Sequence, residues 1–241
     1  MNRKRSLTSA KTSEIMVFIL PALLLFCTFV VYPLIPEIII SFQKDDGFVN
    51  QGFVGFKNYV TVLSSKNFWN IHKNTYLVAA LSLLVALPIS MLFALLMDSA
   101  RPAVRNFFKF FAVFPAVLSH AVIGRLWIAI YNNDWGIINS LLRAVGLKSW
   151  TRVWLANENT VMFAIAVAFL WQYLGLNALQ FYAGIKAIPK TYYEAAQIDG
   201  GGFFINSIKI TIPLLQDMVK YVVLTSTLGS LGMFSYVTVM T

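Results

Sequence analysis

Acidic side chains are scarce in this sequence: ten Asp and Glu in 241 residues, beside 19 Lys and Arg and two His, so that charged residues make up only 12%, against about 25% in an ordinary soluble domain. That scarcity excludes a typical water-soluble globule. A share of 58% apolar residues excludes disorder, which needs low hydrophobicity with high net charge. The single cysteine, Cys27, lies in an apolar run and excludes an intrachain disulfide or a cysteine-based metal cluster. No His, Asp and Glu group has metal-ligand spacing and no serine has a recognisable base, so catalytic readings have little support. Also missing is any stretch of the form GxxxxGK[ST], whose backbone N–H groups and lysine hold ATP phosphates. Gly200, Gly201 and Gly202 have no Lys-Ser/Thr after them and no strand before, and read as a helix-breaking turn.

Long apolar runs are what the chain has in excess. Ile15 to Pro36, Tyr76 to Met97, Val161 to Ile185 and Tyr221 to Met240 are uncharged, and Phe110 to Tyr131 is interrupted only by Arg125. A hydrocarbon core of about 30 Å needs about 20 helical residues, and an open sheet in lipid leaves backbone groups unpaired. The runs therefore predict an all-α integral membrane protein with five spans, about 15–36, 76–97, 110–131, 161–185 and 221–240. Residues 1–14 form a basic N-terminus and 15–241 the membrane domain. Arg3, Lys4, Arg5 and Lys11 resemble the basic start of a secretory leader. The first run is too long for one, and Tyr32-Pro33-Leu34-Ile35-Pro36 lacks a small-x-small cleavage site, so a retained span is expected. The net charge of +9 lies mostly between the runs, which points to a membrane surface rather than nucleic acid.

Basic residues also set the orientation. With the N-terminus inside, the cytoplasmic segments hold eleven: Arg3, Lys4, Arg5, Lys11, Arg101, Arg105, Lys109, Lys186, Lys190, Lys209 and Lys220. The outer loops hold seven: Lys44, Lys57, Lys66, Lys73, Arg143, Lys148 and Arg152. The outer loops contain aromatic, amphipathic segments, Phe56 to Phe68 and Trp135 to Val145, expected as short helices on the outer face. Asn132 to Gly136 form a turn before the second.

The inner loop at about 186–213 carries the most information. Pro189 suits a helix start and Lys190 to Ile198 continue it. The glycines stop it, and a second short helix from about Phe203 to Ile210 should end before Pro213. Ala195 and Ala196 permit close approach by another chain, and Glu194 offers a carboxylate to a basic partner. Glu194-Ala195-Ala196, then Gly200, Ile210 and Ile212-Pro213 at this spacing resemble the EAA signature of the membrane (permease) subunits of binding-protein-dependent ABC importers. Ile212 stands where that pattern has Leu. Tyr182-Ala183-Gly184-Ile185, Ile188-Pro189 and Ile198-Asp199-Gly200 agree with the carbohydrate-uptake branch. Phe53-Val54-Gly55-Phe56-Lys57-Asn58-Tyr59 and Trp135-Gly136-Ile137-Ile138-Asn139 resemble its two outer loops.

The resemblance implies a type I importer bundle in a bacterial or archaeal cell membrane. It also implies a sixth span, after a Gly-Gly-Pro stretch, that is missing beyond Thr241. Implied partners are a second permease in a heterodimer, two ATPase subunits that hold ATP and Mg, and an extracytoplasmic solute-binding protein. This chain itself is then non-catalytic and holds no cofactor. Glu194, Ala195, Ala196, Asp199, Gly200, Ile210 and Pro213 would couple it to the ATPases, with Glu194 as ion-pair anchor and Gly200 as the turn. The solute would be a sugar or oligosaccharide; glycerol phosphate or another non-sugar solute is the alternative within the class.

Polar groups inside spans are costly unless they face a cavity or partner. Gln172, Tyr173, Asn177 and Gln180 fall in the fourth run, the last three on one helical face. They either line a solute pathway or bond between helices. His120 reads as a packing residue, Arg125 as snorkelling outward, and Glu37 as interfacial. An ion-coupled carrier would need mid-span carboxylates, which the uncharged runs lack. An intramembrane enzyme would need paired catalytic groups on facing helices.

Overall fold

The computed structural model describes residues 12–45, 47 and 50–241; Arg3, Lys4, Arg5 and Lys11 lie outside them. The chain divides into two compact units, Met1–Asn70 and Ile71–Thr241. In the first, helix α1 (Ile15–Ser41) leads to an antiparallel pair, β1 (Gln43–Asp45) and β2 (Asn50–Phe53), and a short helix α2 (Lys57–Ser64). Asn58 Nδ2 donates to the carbonyls of Ser41 and Gln43 at 2.9 and 2.8 Å. Phe42 meets the rings of Phe53, Phe56 and Tyr59, and Gly55 supplies a positive φ of 58°. The Phe-Val-Gly-Phe-Lys-Asn-Tyr segment is thus a folded cap on the end of α1.

Helix α3 (Lys66–Ser99) runs from the first unit into the second. It is followed by α4 (Pro102–Val117), α5 (His120–Ile130), α6 (Ile137–Ala144), α7 (Glu158–Ala187), α8 (Lys190–Ile198), α9 (Phe203–Leu214), α10 (Gln216–Leu231) and α11 (Phe234–Met240). Among the described residues α1, α3 and α7 are long and apolar enough to cross a bilayer. The bent pairs α4/α5 and α10/α11 raise the number to at most five, if each pair is one span.

Among the described residues three wide π turns interrupt the helices, at Cys27–Val31, Ser82–Ala86 and Ser207–Thr211. Each ends two residues before a proline: Pro33, Pro88 and Pro213. A proline ring clashes with the carbonyl four residues back and offers it no N–H; a widened turn relieves both problems without ending the helix. This corrects one expectation, since α9 passes Pro213 and ends at Leu214. Likewise α1 runs beyond Pro36 to Ser41, and the segment Phe56 to Phe68 is divided between α2 and the start of α3.

A second correction concerns Phe110 to Tyr131, which is not one helix: α4 and α5 meet at 102°. Pro115 removes a backbone bond near the end of α4, Leu118 and Ser119 are extended, and Ser119 caps α5 by accepting from Val122 N–H at 3.4 Å. The freed Leu118 carbonyl receives Gln172 Nε2 from α7 at 2.9 Å. In lipid such a break persists only when protein groups satisfy the backbone it exposes.

Helix α7 is the central post, packed against α3, α4, α5, α10 and α11. Small residues permit this. Ala164, Ala166, Ala168 and Ala178 are buried, and a Cβ on Gly175 would sit 2.4 Å from the Ala112 carbonyl oxygen of α4. With little hydrophobic driving force between helices in lipid, such close backbone approach supplies the packing. In the outer loop Asn132 Oδ1 accepts from the N–H groups of Asp134 and Trp135 at 2.9 and 3.2 Å. Asn139 is buried: it donates to the carbonyls of Asn133 and Arg152 and accepts from Arg152 N–H and Trp154 Nε1.

Candidate functional site

The EAA residues lie on α8. Glu194 and Ala195 are exposed, Ala196 is half-buried, and among the described residues Glu194 has no ion pair. The helix closes with a Schellman cap. Gly200 N–H donates to the Gln197 carbonyl at 3.1 Å, Gly201 N–H to the Ala196 carbonyl at 2.7 Å, and Gly200 takes φ of 79°. Asp199 is the last right-handed residue before that turn. One bond then ties α8 to α9, Tyr193 Oη with Thr211 Oγ1 at 2.9 Å, and a second ties the glycine turn to α9, Asn206 Nδ2 to the Gly201 carbonyl at 3.4 Å. Ile210 is half-buried within the wide turn of α9, and Pro213 is exposed. The result is a braced arm with its carboxylate outward. Its inner side borders the ends of α3 and α7 at Leu95, Asp98 and Ile185.

The fourth-run candidates fall together elsewhere. Tyr173, Asn177 and Gln180 line one open cleft of about 630 Å³ with Ser82, Phe169, Leu170, Thr225 and Ser226. Asn177 Nδ2 donates to Ser226 Oγ of α10 at 3.3 Å. The Oε1 of Gln180 is buried with no hydrogen-bond partner among the described residues, an acceptor held out of water beside the cleft. Tyr173 Oη is 2.9 Å from His120 Nε2, so His120 is a polar partner and more than packing. Gln172 points away from the cleft residues to the α4/α5 break, where it also accepts from Tyr236. Sequence reading missed Ser82, Thr225 and Ser226. Single hydroxyls in an apolar run carry no signal, because a helical Ser or Thr can bond its own backbone, as Thr225 does to Tyr221.

No family model matches the chain. It is 35% identical over 237 residues to the arabinooligosaccharides transport system permease protein AraP of Bacillus subtilis, covering 97% of this chain and 74% of that protein. Over 248 residues it is 30% identical to the diacetylchitobiose uptake system permease protein NgcF of Streptomyces coelicolor, covering 99% and 70%. In fold it matches a crystal structure of a bacterial ABC transporter involved in the import of the acidic polysaccharide alginate, with a TM-score of 0.81 at 23% identity over 94% of this chain and 76% of that one.

Proposed function

Since the chain belongs to the permease subunits of sugar ABC transporters, multi-pass membrane proteins that are not themselves enzymes, we propose that it forms part of the translocation pathway of an ATP-driven saccharide importer. The observation that carries this reading is the braced arm α8–α9, with the EAA residues on its exposed side. A stiff helix, turn and helix transmits displacement as a rigid body. Glu194 is the anchor for a basic groove on a separate ATPase that holds ATP and Mg, and Ala195 and Ala196 allow that surface to approach. The basic residues orient the N-terminus and the arm to the cytoplasm. A second permease, two ATPases and an extracytoplasmic solute-binding protein complete the assembly.

The cleft beside Gln180 supports a saccharide as solute. Its polar lining, Ser82, Tyr173, Asn177, Gln180, Thr225 and Ser226, is uncharged, and the rings of Phe169 and Tyr173 offer apolar faces. Amides and hydroxyls match sugar hydroxyls, whereas a glycerol phosphate would need a cation. Vesicles holding the reconstituted complex test both parts. Glu194→Ala and Gly200→Pro should leave subunits associated but abolish the coupling of ATP hydrolysis to uptake. Normal uptake in both variants would refute the arm assignment, and uptake by this chain alone without ATP would refute the ATP-driven reading.

A further inference from the structure

A second cleft lies between α3, α4 and α7, and its chemistry differs from that of the first. It is open on one side, with about 780 Å³ of empty space, and is lined by Phe93, Met97, Phe108, Phe111, Pro115 and Trp171, with Ala112, Leu174, Gly175 and Ala178 completing it. Every lining side chain is apolar apart from the single indole N–H of Trp171, so a sugar would find few polar partners. The close contact of Gly175 with Ala112 leaves the cleft floor without bulky side chains.

At one end the surroundings change sharply. Tyr182, one helical turn past Ala178, has Lys109 Nζ 4.8 Å and Lys186 Nζ 5.5 Å from its ring centroid. Lys109 follows the cleft residue Phe108, and Asp98 follows the cleft residue Met97. Asp98 pairs with Lys186 at 2.5 Å; among the described residues Lys109 has the ring and no carboxylate. The Arg105 guanidinium is engaged by the carbonyls of Met97, Asp98 and Ala100, so it is already committed. The Tyr182 end, next along α4 and α7 from the apolar slot, therefore carries an excess of positive charge. From Trp171 to Tyr182 the slot and rim span eleven helical steps of α7, about 16 Å at 1.5 Å per step, roughly half of a 30 Å hydrocarbon core.

We propose that this cleft is a binding site for an anionic phospholipid, with one acyl chain along Phe93, Phe111 and Trp171 and the phosphate between Lys109 and Lys186. Charge complementarity selects this occupant over an apolar protein helix, which would cover the slot and leave Lys109 without an anion. Basic pockets between membrane helices bind acidic head groups in this way. The site rests on the chain being a membrane protein and does not depend on the arm, the solute or the orientation.

Trp171 is the built-in probe. The intact chain with its co-purifying subunits is titrated in detergent with phosphatidylglycerol or phosphatidylcholine carrying brominated acyl chains, which quench indole fluorescence on contact. Saturable quenching selective for phosphatidylglycerol should disappear in Trp171→Phe. It should weaken roughly tenfold or more in a Lys109→Gln, Lys186→Gln double variant and return when both lysines are arginine. Equal quenching by both lipids, or selectivity unchanged in the double glutamine variant, would reduce the cleft to ordinary lipid contact. Failure of either lipid to quench Trp171 would mean that protein fills the slot. Each result would overturn the proposal, and neither would bear on ATP coupling.

Discussion

Single residues hold this structure at a few points where several demands meet. Asn139 satisfies two carbonyls and two N–H donors with one buried amide, and Asn139→Ala leaves all four unpaired or competing for water. Thermal unfolding of the detergent-solubilised protein should report a loss of about 2–3 kcal/mol, and a change below about 0.5 kcal/mol would contradict the hub. Gly175→Val tests another kind of constraint. Its Cβ would meet the Ala112 backbone, which cannot rotate aside, so helices α4 and α7 must separate at a cost of about 2–3 kcal/mol. The two adjacent loop glycines should differ: Gly201→Ala collides with the Ala196 carbonyl at 2.8 Å, while nothing lies within 4 Å of a Cβ on Gly200.

At the level of elements, the helices were legible where composition alone governs them. The runs beginning at Ile15 and Tyr76, and the one at Val161 to Ile185, lie within α1, α3 and α7 because a long apolar segment leaves lipid few alternatives. Their interruptions were harder to read. Pro33, Pro88 and Pro213 are preceded by wide turns while Pro115 stands just before a full break, and local sequence does not separate the two outcomes. At the break a distant residue takes part: Gln172, 54 positions on from Leu118, donates to its carbonyl. Gln172→Leu should therefore destabilise the α4/α5 corner by about 2–3 kcal/mol and raise amide exchange in residues 116–122 before exchange elsewhere. Uniform exchange across the chain would argue that the corner is held by packing alone.

For the whole molecule, the candidate site was legible to different depths. Tyr173, Asn177 and Gln180 share a face by helical spacing, and they do share a cleft. The hydroxyls opposite them come from other helices, which spacing within one run cannot register. Gln180→Leu removes the unpartnered acceptor at that cleft. It should lower solute affinity during uptake severalfold and leave basal ATP hydrolysis by the complex intact, because the arm lies on other elements; simultaneous loss of both would mean that the residue serves folding. The cap at Gly200 has one further consequence. An L side chain has room there and only the sign of φ opposes it, so Gly200→Ala should lose stability through backbone strain alone, and Gly200→Asn, which tolerates the left-handed region, should lose less. Handedness of the backbone at one residue, rather than any contact it makes, would then decide how firmly the turn between α8 and α9 is held.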